Sequence, residues 1–144
     1  MFTIRPMDMA DYDTVIALMQ ATPGVSLRDA DARDATERYL ARNPGLSFVA
    51  LVEDTIVGCL MSGHDGRRGY LQHLLVAPRH RKQGIGRALV AHCLAALGTL
   101  GIVKSHLDVL LTNTPGQAYW ENAGWMRRDD IARYSLICSG SANA

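Results

Sequence analysis

Apolar and polar residues alternate along Phe2-Thr3-Ile4-Arg5 until Pro6 stops the run, which predicts a first strand. Tyr12, Val15, Ile16 and Met19 then recur at i, i+3, i+4 and i+7, the spacing of one apolar helical face, with Asp11 placed to cap it. Thr22-Pro23-Gly24 breaks that helix. Residues 26–35 are polar and carry Arg28, Asp29, Asp31, Arg33 and Asp34; a short helix should resume and run up to Arg42, turning Tyr39 and Leu40 inward. Asn43-Pro44-Gly45 is a firm stop. Residues 48–52, 56–61 and 70–76 are apolar and joined by the turn-forming stretches Glu53-Asp54-Thr55 and Asp65-Gly66-Arg67-Arg68-Gly69, the pattern of a three-strand meander.

Beyond Pro78 the period returns to helical. Ile85, Leu89, Cys93 and Leu97 line one side of a helix expected from Gly86, with Val90 and Leu94 beside them, and residues 98–101 end it. Residues 105–111 predict a further strand, reached by a right-handed parallel crossover. A loop at residues 112–116, a short helix over 117–122 and its turn at Ala123-Gly124 follow. Residues 125–127 and 132–137 predict a last hairpin around Asp129-Asp130. The expected organisation is one domain over residues 1–138 with a short flexible tail at 139–144.

Composition removes several classes of function. The chain has 144 residues, enough for a sizeable core, and a formal net charge of +1 from 15 Lys+Arg against 14 Asp+Glu. That balance offers no general attraction to nucleic acid or an anionic membrane. No apolar run is long enough to span a bilayer, and Met1-Phe2-Thr3-Ile4-Arg5 is not a signal-peptide pattern. The three cysteines include no Cys-x-x-Cys pair, which argues against a disulfide framework or zinc cluster and for a reducing, cytoplasmic setting. Cys93 falls on the apolar helical face and reads as core rather than nucleophile.

The chemistry concentrates between Leu74 and Leu89. An apolar strand, Leu74-Leu75-Val76, ends at Pro78 and passes through Arg81-Lys82-Gln83-Gly84-Ile85-Gly86-Arg87 into a helix. A strand end, glycines without Cβ atoms, the unpaired amides of a helix N-terminus and three cations together form a phosphate-binding arrangement. A dinucleotide fingerprint is excluded because Leu89 stands where a third small residue belongs, and a P-loop because Gly86-Arg87-Ala88 has no hydroxyl for magnesium.

Arg81-Lys82-Gln83-Gly84-Ile85-Gly86, preceded by Val76-Ala77-Pro78, resembles the Arg/Gln-x-x-Gly-x-Gly/Ala signature of the GCN5-related N-acetyltransferases, the GNAT superfamily. Further on, Asn113 and Tyr119-Trp120-Glu121-Asn122-Ala123-Gly124-Trp125 are similar to that family's Asn…Phe-Tyr-x-x-x-Gly-Phe. The order of the expected elements matches too. The resemblance implies an α/β (α+β) fold with a mixed, mostly antiparallel sheet of about seven strands, splayed around an acyl-coenzyme A site and with helices on both faces. It implies acetyl-CoA as co-substrate and direct transfer of the acetyl group to a primary amine in a ternary complex, without metal. Leu74, Leu75 and Val76 would meet pantetheine, residues Arg81, Lys82, Gln83, Gly84, Ile85, Gly86 and Arg87 the pyrophosphate, and Asn113 and Trp120 the rest of the cofactor. The acceptor would be a small amine, amino acid or peptide, with neither nucleic acid nor membrane as partner and a homodimer left open.

The catalytic residues do not carry over by match. Where many family members have a tyrosine that protonates the leaving thiolate, this chain has Trp120, whose indole donates a hydrogen bond but is no useful acid; Tyr119 is adjacent but turned about 100° away. Where one branch carries a glutamate base, this chain has Tyr70. Alternation puts Gln72 on the face of Tyr70, and Leu71 and His73 on the opposite face unless the strand bulges. Candidates are therefore Trp120, Tyr119, Tyr70, Gln72 and His73, with His64, Asp65 and Tyr134 nearby in the expected fold and a water chain as a base-free route. Arg67 and Arg68 could draw in an acidic acceptor or simply form an exposed turn. The departure at Trp120 leaves a non-catalytic acyl-CoA-binding or sensor module of the same fold as the alternative, and a phosphate-binding structural subunit as a third.

Overall fold

The hydrophobic runs pair in sequence order. β1 (Thr3–Pro6), β2 (Phe48–Val52), β3 (Thr55–His64) and β4 (Gly69–Val76) are successive antiparallel neighbours, and β5 (Ser105–His106) joins β4 in parallel. The structure, a computed structural model, describes residues 1–144, which fall into two compact units, Met1–His106 and Leu107–Ala144.

In the first unit the period-two alternation of β3 divides its side chains between two layers. Cys59 and Met61 join Val49 and Leu75 beneath α1 (Tyr12–Gln20), whose Val15 and Met19 are buried there. Gly58 faces the other way, with space only for the Ile85 and Leu89 side chains of α3 (Ile85–Thr99). Ile85, Leu89, Cys93 and Leu97 are each at most 1% exposed, the face their spacing predicted. A capping box at Asp8 and Asp11 opens the turn before α1, and both oxygens of the buried Asp11 accept from Arg5 at 2.8 Å. α2 (Arg33–Arg42) buries Thr36 and half-buries Tyr39 and Leu40 before Asn43 ends it.

β4 does not alternate throughout. Opposite Cys59 stands Leu75 and opposite Met61 stands Gln72, so three steps of β4 face two of β3. The extra residue is taken up at His73, whose φ is +62°. A bulge of this kind reverses the facing of whatever follows it. Gln72 and His73 consequently emerge on the same side, not on opposite faces as strict alternation predicts.

The α/β class with a mixed, mostly antiparallel sheet holds, but the sheet has five strands rather than about seven. Of the expected strand at 105–111 only Ser105 and His106 pair. In the second unit, residues 125–137 form no ladder, so the expected hairpin is absent. Arg127 and Arg128 instead hold Asp129 and Asp130, two residues on, through side-chain pairs of 2.9 and 2.8 Å. Alternation marks which side chains share a face; it does not supply the neighbouring strand that a ladder needs. The second unit's regular element is α4 (Thr114–Asn122), capped by Asn113, whose Oδ1 accepts from the Gly116 amide at 3.0 Å.

Candidate active site

The loop between β4 and α3 is built to expose backbone amides. After a single 3-10 turn at Pro78–His80, the Arg81 guanidinium folds back and its Nε donates to the Val76 carbonyl at 2.9 Å. Arg81 is thus a brace across the loop. Lys82 and Gly84 both take positive φ, +61° and +87°. Gly84 caps α3, and its carbonyl accepts from Ala88. The amides of residues 82–87 have no acceptor within the protein. They lie at the positive end of a 15-residue helix, flanked by the exposed, unpaired cations Lys82 and Arg87. No atom lies within 4 Å of the position a Gly84 Cβ would take. Free amides at a helix N-terminus beside two cations form a cradle of the kind that suits a phosphate or pyrophosphate, and Gly86 is the second residue of that helix.

Beside the cradle, β4 pairs with β5 only at Gly69 and Tyr70, so Leu71 to Val76 form an edge with no strand beyond it in the sheet. Leu74, Leu75 and Val76, expected to meet pantetheine, lie on that stretch. The β4 bulge opens the sheet face toward α2. Its His73 ring reaches Asp31, with Nε2 2.8 Å from Oδ1, both side chains being largely buried. The Cys59 thiol contacts the His73 carbonyl at 3.4 Å and steadies the bulge from behind.

His73 and Gln72 line a cavity of about 370 Å³ against α2, together with Asp31, Tyr39, Arg38 and Arg42. A second cavity of about 330 Å³ holds Tyr70, His64, Asp65 and Arg68, and shares Tyr39 and Asn43 with the first. The Tyr39 hydroxyl is wholly shielded and makes no hydrogen bond of good geometry. Burial pushes its pKa up to about 12, although the neighbouring Gln72 side chain acts in the opposite direction. It lies against Gly63, where any Cβ would fall 2.9 Å from the hydroxyl and 2.8 Å from the Asn43 amide.

The structure sorts the remaining candidates. Asp65 accepts from the amides of Arg67 and Arg68 at 2.8 Å each, and those bonds hold its carboxyl below the usual range; it shapes the turn. His64 Nδ1 accepts from Gly66 in the same turn. Tyr134 is 92% exposed, in the second unit. There, Trp120 meets Tyr119 and Trp125 edge-on, each with ring centroids 5.2 Å away. Cys59 and Cys93 are fully buried, and burial pushes both thiols up to about 12, which removes them as nucleophiles. Asp31, Arg38, Tyr39 and Arg42 lie in the polar helical segment, which the family resemblance implies often lines the acceptor site, although the sequence singled out none of the four as a site residue. No local signal announced the bulge that brings His73 to them.

Known proteins share the family and the fold. Residues 12–125 match the acetyltransferase (GNAT) family, from α1 through the cradle to the end of the aromatic cluster. An acetyltransferase of Photorhabdus laumondii is 38% identical over 110 residues, covering 74% of this chain and 73% of its own. One from Sodalis glossinidius is 34% identical over 128 residues, 89% of each chain. The crystal structure of an N-acetyltransferase from Thermoplasma acidophilum in complex with coenzyme A has a TM-score of 0.80 at 18% identity, covering 91% of this chain and 93% of that one. The loop that frees its amides ahead of α3 is therefore found in a chain whose matched length spans most of the first unit and half of the second, and the protein belongs to the GNAT family of acetyltransferases.

Proposed function

We propose that the protein transfers the acetyl group of acetyl-CoA to a primary amine by direct attack in a ternary complex. The observation that carries this reading is the run of six unpaired amides at residues 82–87, with Gly84 in a left-handed conformation and open space above it. A pyrophosphate fits this cradle: the amides donate to its oxygens and Lys82 and Arg87 balance its charge. Gln83, Ile85 and Gly86 contribute through their backbone, and Arg81 keeps the loop tied to β4. The free edge of β4 at Leu74, Leu75 and Val76 offers backbone groups to the pantetheine arm. Bound there, acetyl-CoA supplies an activated acyl group on a thioester.

The chain's own residues must then hold the amine and take its proton. Asp31 accepts from His73 Nε2–H, which leaves Nδ1 with the lone pair; His73 is the proton acceptor in this reading, and Asp31 fixes its tautomer. Gln72 orients the amine, and Tyr70 lines the neighbouring cavity rather than acting as base. In the second unit Asn113 spends its Oδ1 on α4, so its amide nitrogen is the group left for the cofactor. The Trp120 N–H serves as a hydrogen-bond donor near sulfur, with Tyr119 packed against its ring.

The test is thiol release from acetyl-CoA over a panel of amines, polyamines, amino acids and peptides. Turnover with at least one acceptor, inhibited by free CoA and not by ATP or NAD, is expected. Tight CoA binding without turnover across the panel would favour a sensor module, and equal competition by ATP or NAD a general phosphate-binding protein.

A further inference from the structure

The cavity beneath α2 has two chemically different ends. At one, the Asp31 carboxylate is joined to His73 at 2.8 Å. At the other, Arg38 and Arg42 line the wall one helical turn apart, and neither pairs with a carboxylate, even though Asp34 precedes Arg38 by one turn. The third arginine of α2, Arg33, is paired with Asp13 and does not line this space. Tyr39, next to Arg38 in α2, also lines the cavity, with its hydroxyl shielded and without a partner of good geometry.

We infer that this cavity, where the proposed reaction holds its amine, selects amines carrying an anionic group, a carboxylate or a phosphate. The amine sits at the Asp31–His73 end and the anion at Arg38 and Arg42, where a paired guanidinium fork matches planar carboxylate or phosphate oxygens. Helical rise sets Arg38 about 8 Å and Arg42 about 14 Å along the axis from the start of α2, while Asp31 lies just ahead of that start. The spacing fits an acceptor with several bonds between amine and anion better than an α-amino acid. The inference rests on the acetyl-transfer reading for its biological sense, but the selectivity is a binding property and is tested as one.

Aminocaproate and phosphoethanolamine are the anionic probes, aminocaproamide and cadaverine the neutral and cationic controls, and glycine the short one. Calorimetry in the presence of CoA is run on the wild type and on Arg38→Gln/Arg42→Gln, both positions being exposed so that the fold tolerates the change; thermal melting verifies it. Aminocaproate or phosphoethanolamine should bind at least about tenfold more tightly than the controls, and the double variant should erase that ratio. In steady-state assays the same ratio should fall through KM rather than kcat. Binding of the anionic probes without any turnover would sustain the site while defeating the acetyl-transfer reading. Equal or tighter binding of cadaverine or aminocaproamide, or a double variant that keeps the wild-type ratio, would overturn the inference whether or not the enzyme turns over.

Discussion

Placing a carboxylate at Gly84 separates the two things that residue does. Its φ of +87° is a left-handed conformation that an L side chain adopts at a cost of about 1–2 kcal/mol. Gly84→Ala incurs only that cost, because no atom lies within 4 Å of the new Cβ. In a chain of this size it should lower Tm by roughly 3–6 °C and leave CoA affinity within a few-fold of wild type. Gly84→Asp carries the same strain and adds an anion facing the cradle. At about 5 Å from a pyrophosphate carrying about two charges, in a site open to water, the repulsion is about 2 kcal/mol, a loss of roughly twentyfold in affinity. Raising the salt should recover part of the loss in Asp and none in Ala. Calorimetry with CoA at two ionic strengths, beside thermal melts, reads both quantities. A folded Gly84→Asp protein that binds CoA as tightly as Gly84→Ala would show that pyrophosphate does not sit on these amides.

Four further outcomes are expected. His73→Gln should lower kcat by at least about a hundredfold while CoA affinity holds, since general-base catalysis contributes on that scale; an unchanged kcat measured at saturating acceptor would remove His73 from the chemistry. The triple variant Cys59→Ala, Cys93→Ala, Cys138→Ser should retain acetyl transfer at a stability cost of about 1–2 kcal/mol per buried sulfur, and mass spectrometry during turnover should find no acetylated cysteine in the wild type. Asp11→Asn should lose about 2 kcal/mol at neutral pH. The Arg5 side-chain bonds hold the Asp11 carboxyl below its usual range, so its stabilisation is complete above the unfolded carboxylate pKa and is lost as pH falls through the lowered folded value; denaturation curves of variant and wild type should converge only in that acidic window. Trp120→Phe should reduce turnover about tenfold and Trp120→Tyr should be tolerated, with a loss of several orders of magnitude in the tyrosine variant arguing that the indole has some other task.

What the sequence revealed follows the range of the interactions involved. The buried stripe of α3 and the turns at Asn43-Pro44-Gly45 and Gly66 depend on residues a few places apart, and each lies where spacing puts it, whereas Asp11 starts α1 but gives its carboxylate to Arg5 and the Asp8 amide instead of capping it. The conformation of the loop before α3 was legible for the same reason: Pro78, Gly84 and the start of α3 are contiguous, and a glycine needed at positive φ is written directly in the chain. The last strands failed because pairing is a property of two segments. Leu110, Leu111, Tyr134 and Leu136 have apolar side chains suited to strands, yet all are exposed where no ladder forms.

The base candidate was hidden by a subtler effect. Parity along β4 is correct at Leu71, which is buried, and at Gln72, which faces the cavity. It fails one residue later because His73 has no Cβ-free neighbour to announce a bulge, and a histidine at φ +62° is a conformation that sequence statistics disfavour. Such a conformation costs about 1–3 kcal/mol and persists only where the surroundings overrule it. Here those surroundings are named: the Cys59 thiol on the His73 carbonyl, the Asp31 carboxylate on its ring, and Leu75 returned to the core beyond the bulge. Two of the three contacts serve packing, but a charged partner on the imidazole does nothing that packing requires. The strain therefore brings a carboxylate-held histidine and a glutamine into one cavity against α2, and that convergence is what a reactive site needs and a merely folded domain does not.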